Sequence, residues 1–178
     1  MSRIYPDEVA GPYDPPPHAF TDKADREISI RRFEDTEPLV EMYLAFDPED
    51  RAQGIPPTTE DEIRDWLDTI ISDGGVNVVA WHGGDIVGHA TLVPDFDNEE
   101  TTLDEFELAI FVVAAYQESG IGSQLITALL GAGREAGIDR VWLTVERWNH
   151  AAVELYEKVG FEPSDTGNFE LEMGARLR

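Results

Sequence analysis

The run Glu107–Gly122, Glu-Leu-Ala-Ile-Phe-Val-Val-Ala-Ala-Tyr-Gln-Glu-Ser-Gly-Ile-Gly, leaves this chain few ways to fold. β-Branched and aromatic residues fill its first part, a polar loop closes on Gly120-x-Gly122, and Ser123-Gln-Leu-Ile-Thr-Ala-Leu-Leu continues at helical apolar spacing. This pattern predicts a strand, a loop and a helix start in direct succession. The first N–H groups of such a helix have no intrahelical partner and lie at the positive end of its dipole, so they make a site for an anion. A phosphorylated ligand is the natural occupant.

The rest of the chain bounds what can surround that unit. At 178 residues it has room for one domain with a substantial core. The absence of cysteine excludes disulfides, thiolate metal sites and a cysteine nucleophile. The opening Met-Ser-Arg-Ile-Tyr-Pro-Asp-Glu lacks the apolar stretch of a secretion signal. The longest uncharged apolar run, Leu108–Tyr116, falls far short of the ~20 residues that cross a bilayer, so a cytoplasmic location is expected.

Thirty-seven acids against 13 Lys and Arg give a net charge of −24, and Lys23 and Lys158 are the only lysines. With 42% hydrophobic residues and four tryptophans, this is the profile of a folded domain with an acidic skin, not of a disordered chain. One reading is a halophilic, high-salt cytoplasm, because at ~1 M salt the Debye length is only ~3 Å and surface repulsion is screened. The other is an acidic protein of ordinary surroundings. In both, neither nucleic acid nor an anionic membrane is expected as a partner, since clustered Lys and Arg are missing.

Residues 1–27 hold five prolines and several acids, which disfavours a helix or a central strand and predicts an arm, either anchored by Tyr5, Tyr13, His18 and Phe20 or free. Regular structure is expected to start at Glu27-Ile-Ser-Ile-Arg-Arg-Phe, a half-buried strand. Helices follow from Asp35-Thr36 to about Asp47 and from Thr58-Thr-Glu-Asp-Glu to Gly74-Gly75. Val76–Trp81 and Asp85–Val93 form a hairpin through His82-Gly-Gly-Asp. After an acidic loop come a strand at 103–113, a helix at 122–136, a strand at 140–145, a helix from Asn149 to Gly160, and a last strand at 168–173. Hairpins first and strand-helix units later predict a mixed α/β sheet with helices on both faces.

Three site types place Gly-x-Gly between strand and helix. A P-loop needs Gly-Lys-Ser/Thr at the helix start, and Gly122 is followed by Ser123-Gln124. A Rossmann site would use Glu146 on the ribose, but Leu125 stands at its third small position and Gly120 comes seven residues after Val113. The third type fits best. Gln117-Glu-Ser-Gly120-Ile-Gly122 resembles the Gln/Arg-x-x-Gly-x-Gly/Ala signature of the GNAT superfamily of acyl-CoA-dependent N-acetyltransferases. Asn149-His-Ala-Ala152-Val-Glu-Leu155-Tyr156-Glu-Lys158-Val-Gly160-Phe161 is similar to that family's second signature, Asn-x-x-Ala-x-x-Leu-Tyr-x-Lys-x-Gly-Phe.

The resemblance implies a GNAT domain over 28–178 with a mixed, mostly antiparallel sheet of about six or seven strands, splayed in the middle. It implies acetyl-CoA as acyl donor and an amine acceptor, small molecule or protein, that attacks the thioester directly in a ternary complex. The backbone of Val112 and Val113 would pair with the pantetheine arm, and the loop of Gln117, Glu118, Ser119, Gly120, Ile121, Gly122 and Ser123 would hold the pyrophosphate. Asn149 would touch the pantetheine or the amine site, and Tyr156 would protonate the departing thiolate, unless it is simply a core tyrosine. Phe106-Glu107-Leu-Ala-Ile-Phe-Val-Val-Ala-Ala-Tyr-Gln is also similar to a strand of protein-lysine acetyltransferase GNAT domains, which makes Glu107 the candidate base, desolvated by Phe106, Leu108 and neighbouring apolar residues; the alternative is an exposed strand acid.

Glu118 and Ser119 depart from the family, which often has Gly and a basic residue in this loop, so Glu118 must point outward or be screened. The four histidines show no metal-ligand spacing, His82 falls in the hairpin turn, and no metal is expected. Asp95, Asp97, Glu99 and Glu100 offer a face to a cationic acceptor, though so acidic a chain makes such clusters by chance. The helix pair at 36–72 and the loop at 95–102 are expected to line the acceptor pocket. A homodimer is compatible with this reading; its alternative is a non-catalytic acyl-CoA sensor.

Overall fold

The computed structural model describes residues 4–46, 56–71, 74–94, 105–164 and 170–178. Its strands are β1 (His18–Thr21), β2 (Glu27–Arg32), β3 (Val76–His82), β4 (Asp85–Pro94), β5 (Glu105–Val112), β6 (Arg140–Glu146), β7 (Glu162–Ser164) and β8 (Glu170–Arg176). They form one sheet in the order β1-β2-β3-β4-β5-β6-β8-β7. Every neighbouring pair is antiparallel except β5–β6. The helices are α1 (Thr36–Leu44), α2 (Glu60–Ile70), α3 (Ile121–Glu135) and α4 (His150–Lys158).

The eight strands of the described residues compare with an expected six or seven; the two not placed from the sequence, β1 and β7, are both edges. β1 begins directly after Pro15-Pro16-Pro17 and pairs on one side only, with β2, where prolines nearby cost no central ladder bond. Regular structure thus begins inside the proline-rich stretch, ahead of Glu27. β7 is three residues long and contains Pro163, too short to carry a periodic signal. His82 closes β3 instead of lying in the turn, which falls on Gly83-Gly84.

Period-two alternation divides the apolar residues between two layers. Ile28, Ile30, Val78, Ala80, Ala90, Leu92, Phe106 and Leu108 pack with Leu125, Ile126, Leu129 and Leu130 of α3. Val79 and Ile86 pack with Leu39, Val40, Met42 and Tyr43 of α1 and Ile63 and Leu67 of α2. The helix boundaries follow from local chemistry: Asp35 accepts from Glu37 N at 3.2 Å, and Thr59 from Glu62 N at 3.3 Å. α4 ends as a Schellman motif, with Gly160 at φ +111°, Phe161 N–H donating to Tyr156 O (3.0 Å) and Gly160 N–H to Glu157 O (3.1 Å).

The arm crosses the fold. Ala10 N–H donates to Arg176 O (2.8 Å), and Tyr13 Oη–H donates to Val159 O (2.8 Å). At Gly131 of α3 the arm lies so close that a Cβ would stand 2.6 Å from Tyr13 O. Asp95, Asp97, Glu99, Glu100 and the rest of the 95–102 loop lie outside the described residues. Among the described residues, no helix is long and apolar enough to cross a membrane.

Candidate active site

The parallel β5–β6 ladder has three rungs, Glu105↔Arg140, Phe106↔Val141 and Glu107↔Trp142. β5 then runs on to Val112 and β6 to Glu146 without pairing with each other, so the sheet opens there. Opposite charges anchor the closed end: Glu105, 5% exposed, has Oε1 3.8 Å from Arg140 Nη1.

Register decides which backbone groups face the opening. Val113 N–H donates to Val87 O at 3.0 Å, so in the alternating antiparallel ladder the N–H and C=O of Val112 and Ile110 turn away from β4, toward the side that β6 has left. Val113 is engaged on both groups, since its carbonyl accepts from Tyr116 N (2.8 Å). The carbonyl of Val112 accepts from Gln117 Nε2 (3.0 Å). Of the two valines, only Val112 has its backbone aligned with a strand-like ligand, and Ile110 joins it.

The loop after β5 ends on Gly120, the N-cap of α3, in the left-handed region at φ +91° that suits glycine. α1, α2 and α4 each have a side-chain cap, whereas α3 has none, and its first turn holds no acid. The first intrahelical bond of α3 is Gln124 N–H to Gly120 O, which leaves the N–H groups of Ile121, Gly122 and Ser123 directed beyond the helix end. Gly122 is also where elements converge: a Cβ there would lie 3.7 Å from Leu155 Cδ2 of α4 and 3.9 Å from Ile110 Cδ1 of β5. Glu118 is exposed, at φ +58°. Ser119 is 8% exposed and turned inward, its Oγ donating to Gln117 O (3.2 Å) and accepting from Arg26 Nη2 (3.0 Å).

Arg26, in the β1–β2 turn, braces this loop. Its Nη1 donates to Ala115 O (3.1 Å), its Nε to Asp22 Oδ2 (2.8 Å), and its guanidinium lies 4.0 Å from the Tyr116 ring centre. Burial works against the Asp22 carboxylate, but hydrogen bonds from Arg26 and Ala24 and the guanidinium charge outweigh it and hold its pKa below the ordinary value. The sequence reading missed this contribution because the turn is 93 residues from Ser119. The one signal available was that Lys23, one of only two lysines, lies in it.

Across the opening, Asn149 caps α4 with Oδ1 accepting from Ala152 N (3.3 Å), so its amide N–H groups are not used by the cap. Tyr156 packs against the α3 layer, its ring 5.9 Å from Phe161, and burial raises its phenol to about 12. Among the described residues its hydroxyl has no hydrogen-bond partner.

Glu107 is exposed and shares the α1/α2 face of the sheet with Phe111, while Phe106 and Leu108 point into the opposite layer. The desolvation expected from those two neighbours is therefore absent: strand alternation sends them the other way. On β4, the neighbouring strand, His89 belongs to a second group the sequence did not reveal. Tyr43 and His89 Nδ1 are 2.6 Å apart, and His89 Nε2 lies 2.8 Å from Asn77 Oδ1, all beneath α1 and α2. Since Asn77 Oδ1 only accepts, His89 carries its proton on Nε2, and Tyr43 donates to Nδ1. Burial lowers His89 to about 3 and raises Tyr43 well above its ordinary value, so both are neutral.

A model of the acetyltransferase (GNAT) family matches residues 36–161. The mycothiol acetyltransferase of Nocardiopsis dassonvillei is 32% identical over 173 residues, covering 90% of this chain and 51% of that protein. The chain spans about half the length of the curated relatives it matches. Among solved structures, the GNAT domain of S. lividans PAT has a TM-score of 0.71 at 20% identity, covering 90% of this chain and 97% of that one. A phosphinothricin acetyltransferase from Sinorhizobium meliloti, solved in complex with AcCoA, gives 0.69 at 19% identity, covering 84% and 88%. These two share its fold. The matched residues run from the start of α1 to Phe161 and so contain the parted strands and both signature motifs, and the chain belongs to the acetyltransferase (GNAT) family.

Proposed function

We propose that this protein transfers an acetyl group from acetyl-CoA to a primary amine by direct attack within a ternary complex. The observation that carries the reading is the three-rung ladder: β5 and β6 part after Glu107, and the gap leads to the uncapped start of α3. Pantetheine amides would pair with Val112 and Ile110 in the gap. The pyrophosphate would rest on the N–H groups of Ile121, Gly122 and Ser123, reached through Gln117, Glu118, Ser119 and Gly120, with Glu118 directed to solvent. The fit rests on orphan donors, a left-handed glycine and the absence of a competing carboxylate in the first helical turn. Bound there, acetyl-CoA supplies a thioester carbonyl for the amine to attack.

Glu107 would draw the ammonium of the acceptor to the gap and accept its proton through water, since an exposed carboxylate takes a proton from an ammonium only uphill. Tyr156 would donate a hydrogen bond to the departing thiolate. A phenol at about 12 stays protonated at neutral pH, and burial strengthens the bond to a charge developing beside it. Asn149 would offer its amide to the pantetheine. The acceptor would enter over the α1/α2 face. We place the protein in a high-salt cytoplasm, the setting that suits a net charge of −24.

The test is free thiol release from acetyl-CoA with a panel of amines, alongside calorimetric binding of acetyl-CoA. Amine-dependent release supports the reading. Binding without release by any amine would make the protein a sensor of the cofactor.

A further inference from the structure

We propose that Lys23, in the turn between β1 and β2, is a ligand of the cofactor's pyrophosphate, supplying from the arm the positive charge that the loop 117–120 lacks. The inference rests on the acetyl-CoA reading and adds to it a residue outside both signature motifs.

The loop contains Glu118 and no base, on a chain with 37 acids and 13 Lys and Arg. A polyanion approaching α3 meets orphan N–H groups but little formal positive charge. Arg26 does not provide it, because Nε holds Asp22, Nη1 and Nη2 hold Ala115 O and Ser119 Oγ, and its face covers Tyr116. Lys23 is placed differently. Its N–H donates to Ser119 O (3.1 Å), which pins its backbone to the loop, and its side chain runs past Gly120, where a Cβ would lie 3.9 Å from Lys23 Cε. The ammonium is one bond further on, exposed, and among the described residues it has no acidic partner.

The turn that presents Lys23 is built, not incidental. Asp22 is 5% exposed, and its Oδ1 accepts from Ala24 N and Arg26 N, both at 2.9 Å. Asp25 takes φ +63° to close the turn. Both neighbours of Lys23 are therefore fixed, and its stem starts from a set position beside the helix end. In so acidic a chain a lysine left without a carboxylate beside a row of unpaired N–H groups is matched to a phosphate, whose charge needs both.

Calorimetry on the full chain tests this with CoA and with dephospho-CoA, which keeps the pyrophosphate and lacks the 3′-phosphate. Lys23→Gln is expected to weaken both ligands roughly tenfold, about 1.4 kcal/mol. Lys23→Arg should restore affinity to within about threefold, and all variants should keep the wild-type Tm. Arg134→Gln removes one positive charge at the other end of α3, roughly 20 Å away along the helix, and should leave CoA binding unchanged. Wild-type affinity in Lys23→Gln, an equal loss in Arg134→Gln, or a loss confined to CoA and absent with dephospho-CoA would each overturn the proposal. If the wild-type protein binds neither ligand, it is the acetyl-CoA reading that fails.

Discussion

Glu107 stands opposite Trp142 on the last rung between β5 and β6, and past that rung the strands separate. The carboxylate therefore lies at the vertex of the opening, on the face covered by α1 and α2, where an acceptor amine and a thioester entering between the strands would meet. Its neighbours on β5, Phe106 and Leu108, belong to the opposite layer and do not shield it from water.

Glu107→Gln should lower kcat/KM by about 10²–10⁴ near neutral pH, the usual scale for a positioned proton acceptor. The deficit should narrow as pH approaches the pKa of the acceptor, where free amine no longer needs a base. Stability should change little, because the side chain is exposed. Thiol release measured between pH 6 and 10 checks this, and undiminished activity at pH 7 removes Glu107 from the mechanism.

Tyr156→Phe should reduce kcat about 10- to 10³-fold while KM for acetyl-CoA moves less than threefold. Its pKa of about 12 lies above the ordinary 10, so the proton stays on through pH 10 and no alkaline decline below that arises from this residue. By linkage, its contribution to stability is complete below pH 10 and is lost as pH rises from 10 toward 12, because the unfolded phenol ionises first. An alkaline melting series on both proteins tests the sign.

Below Phe111, the buried Tyr43–His89 pair gives a second, independent pH effect. His89 is lowered to about 3, so between pH 6.5 and 3 the unfolded chain binds a proton that the folded chain refuses. Stability should fall by about 1.4 kcal/mol for each pH unit in that window. His89→Gln should flatten the slope. Tyr43→Phe, which leaves Nδ1 without its donor, should cost about 1–3 kcal/mol at pH 7. Urea titrations at pH 4.5, 5.5 and 7 separate these effects.

Salt should help this protein bind its donor. Raising it from ~0.1 to ~2 M shortens the Debye length and weakens repulsion between an acidic surface and acetyl-CoA, so KM for acetyl-CoA should fall. A KM that climbs over that range would remove the high-salt interpretation.

Much of this was legible in the sequence because the informative chemistry is local. Gly120 needs its left-handed φ within a loop, Asn149 caps its own helix, and Gly160 ends it, so each leaves a short pattern. The parted strands were expected from the resemblance, not from spacing. What stayed hidden depends on contacts distant along the chain. Arg26 reaches Ser119, and Tyr43 reaches His89, without any periodic signature. Glu107 is exposed, as the alternative reading of a strand acid had it, and Phe106 and Leu108 cannot desolvate it because adjacent residues on a strand point to opposite faces. β1 was missed because prolines next to it masked a strand that needs pairing on one side only.

The arm joins residue 10 to residue 176 and residue 13 to residue 159, on the far side of the opening from β1. In order of synthesis the meander β1–β5 precedes every element on which the arm docks: α3 at Gly131, the end of α4 at Val159, and β8 at Arg176. The arm therefore gains its partners one after another, and its tie to the half of the sheet beyond the gap is the last of them.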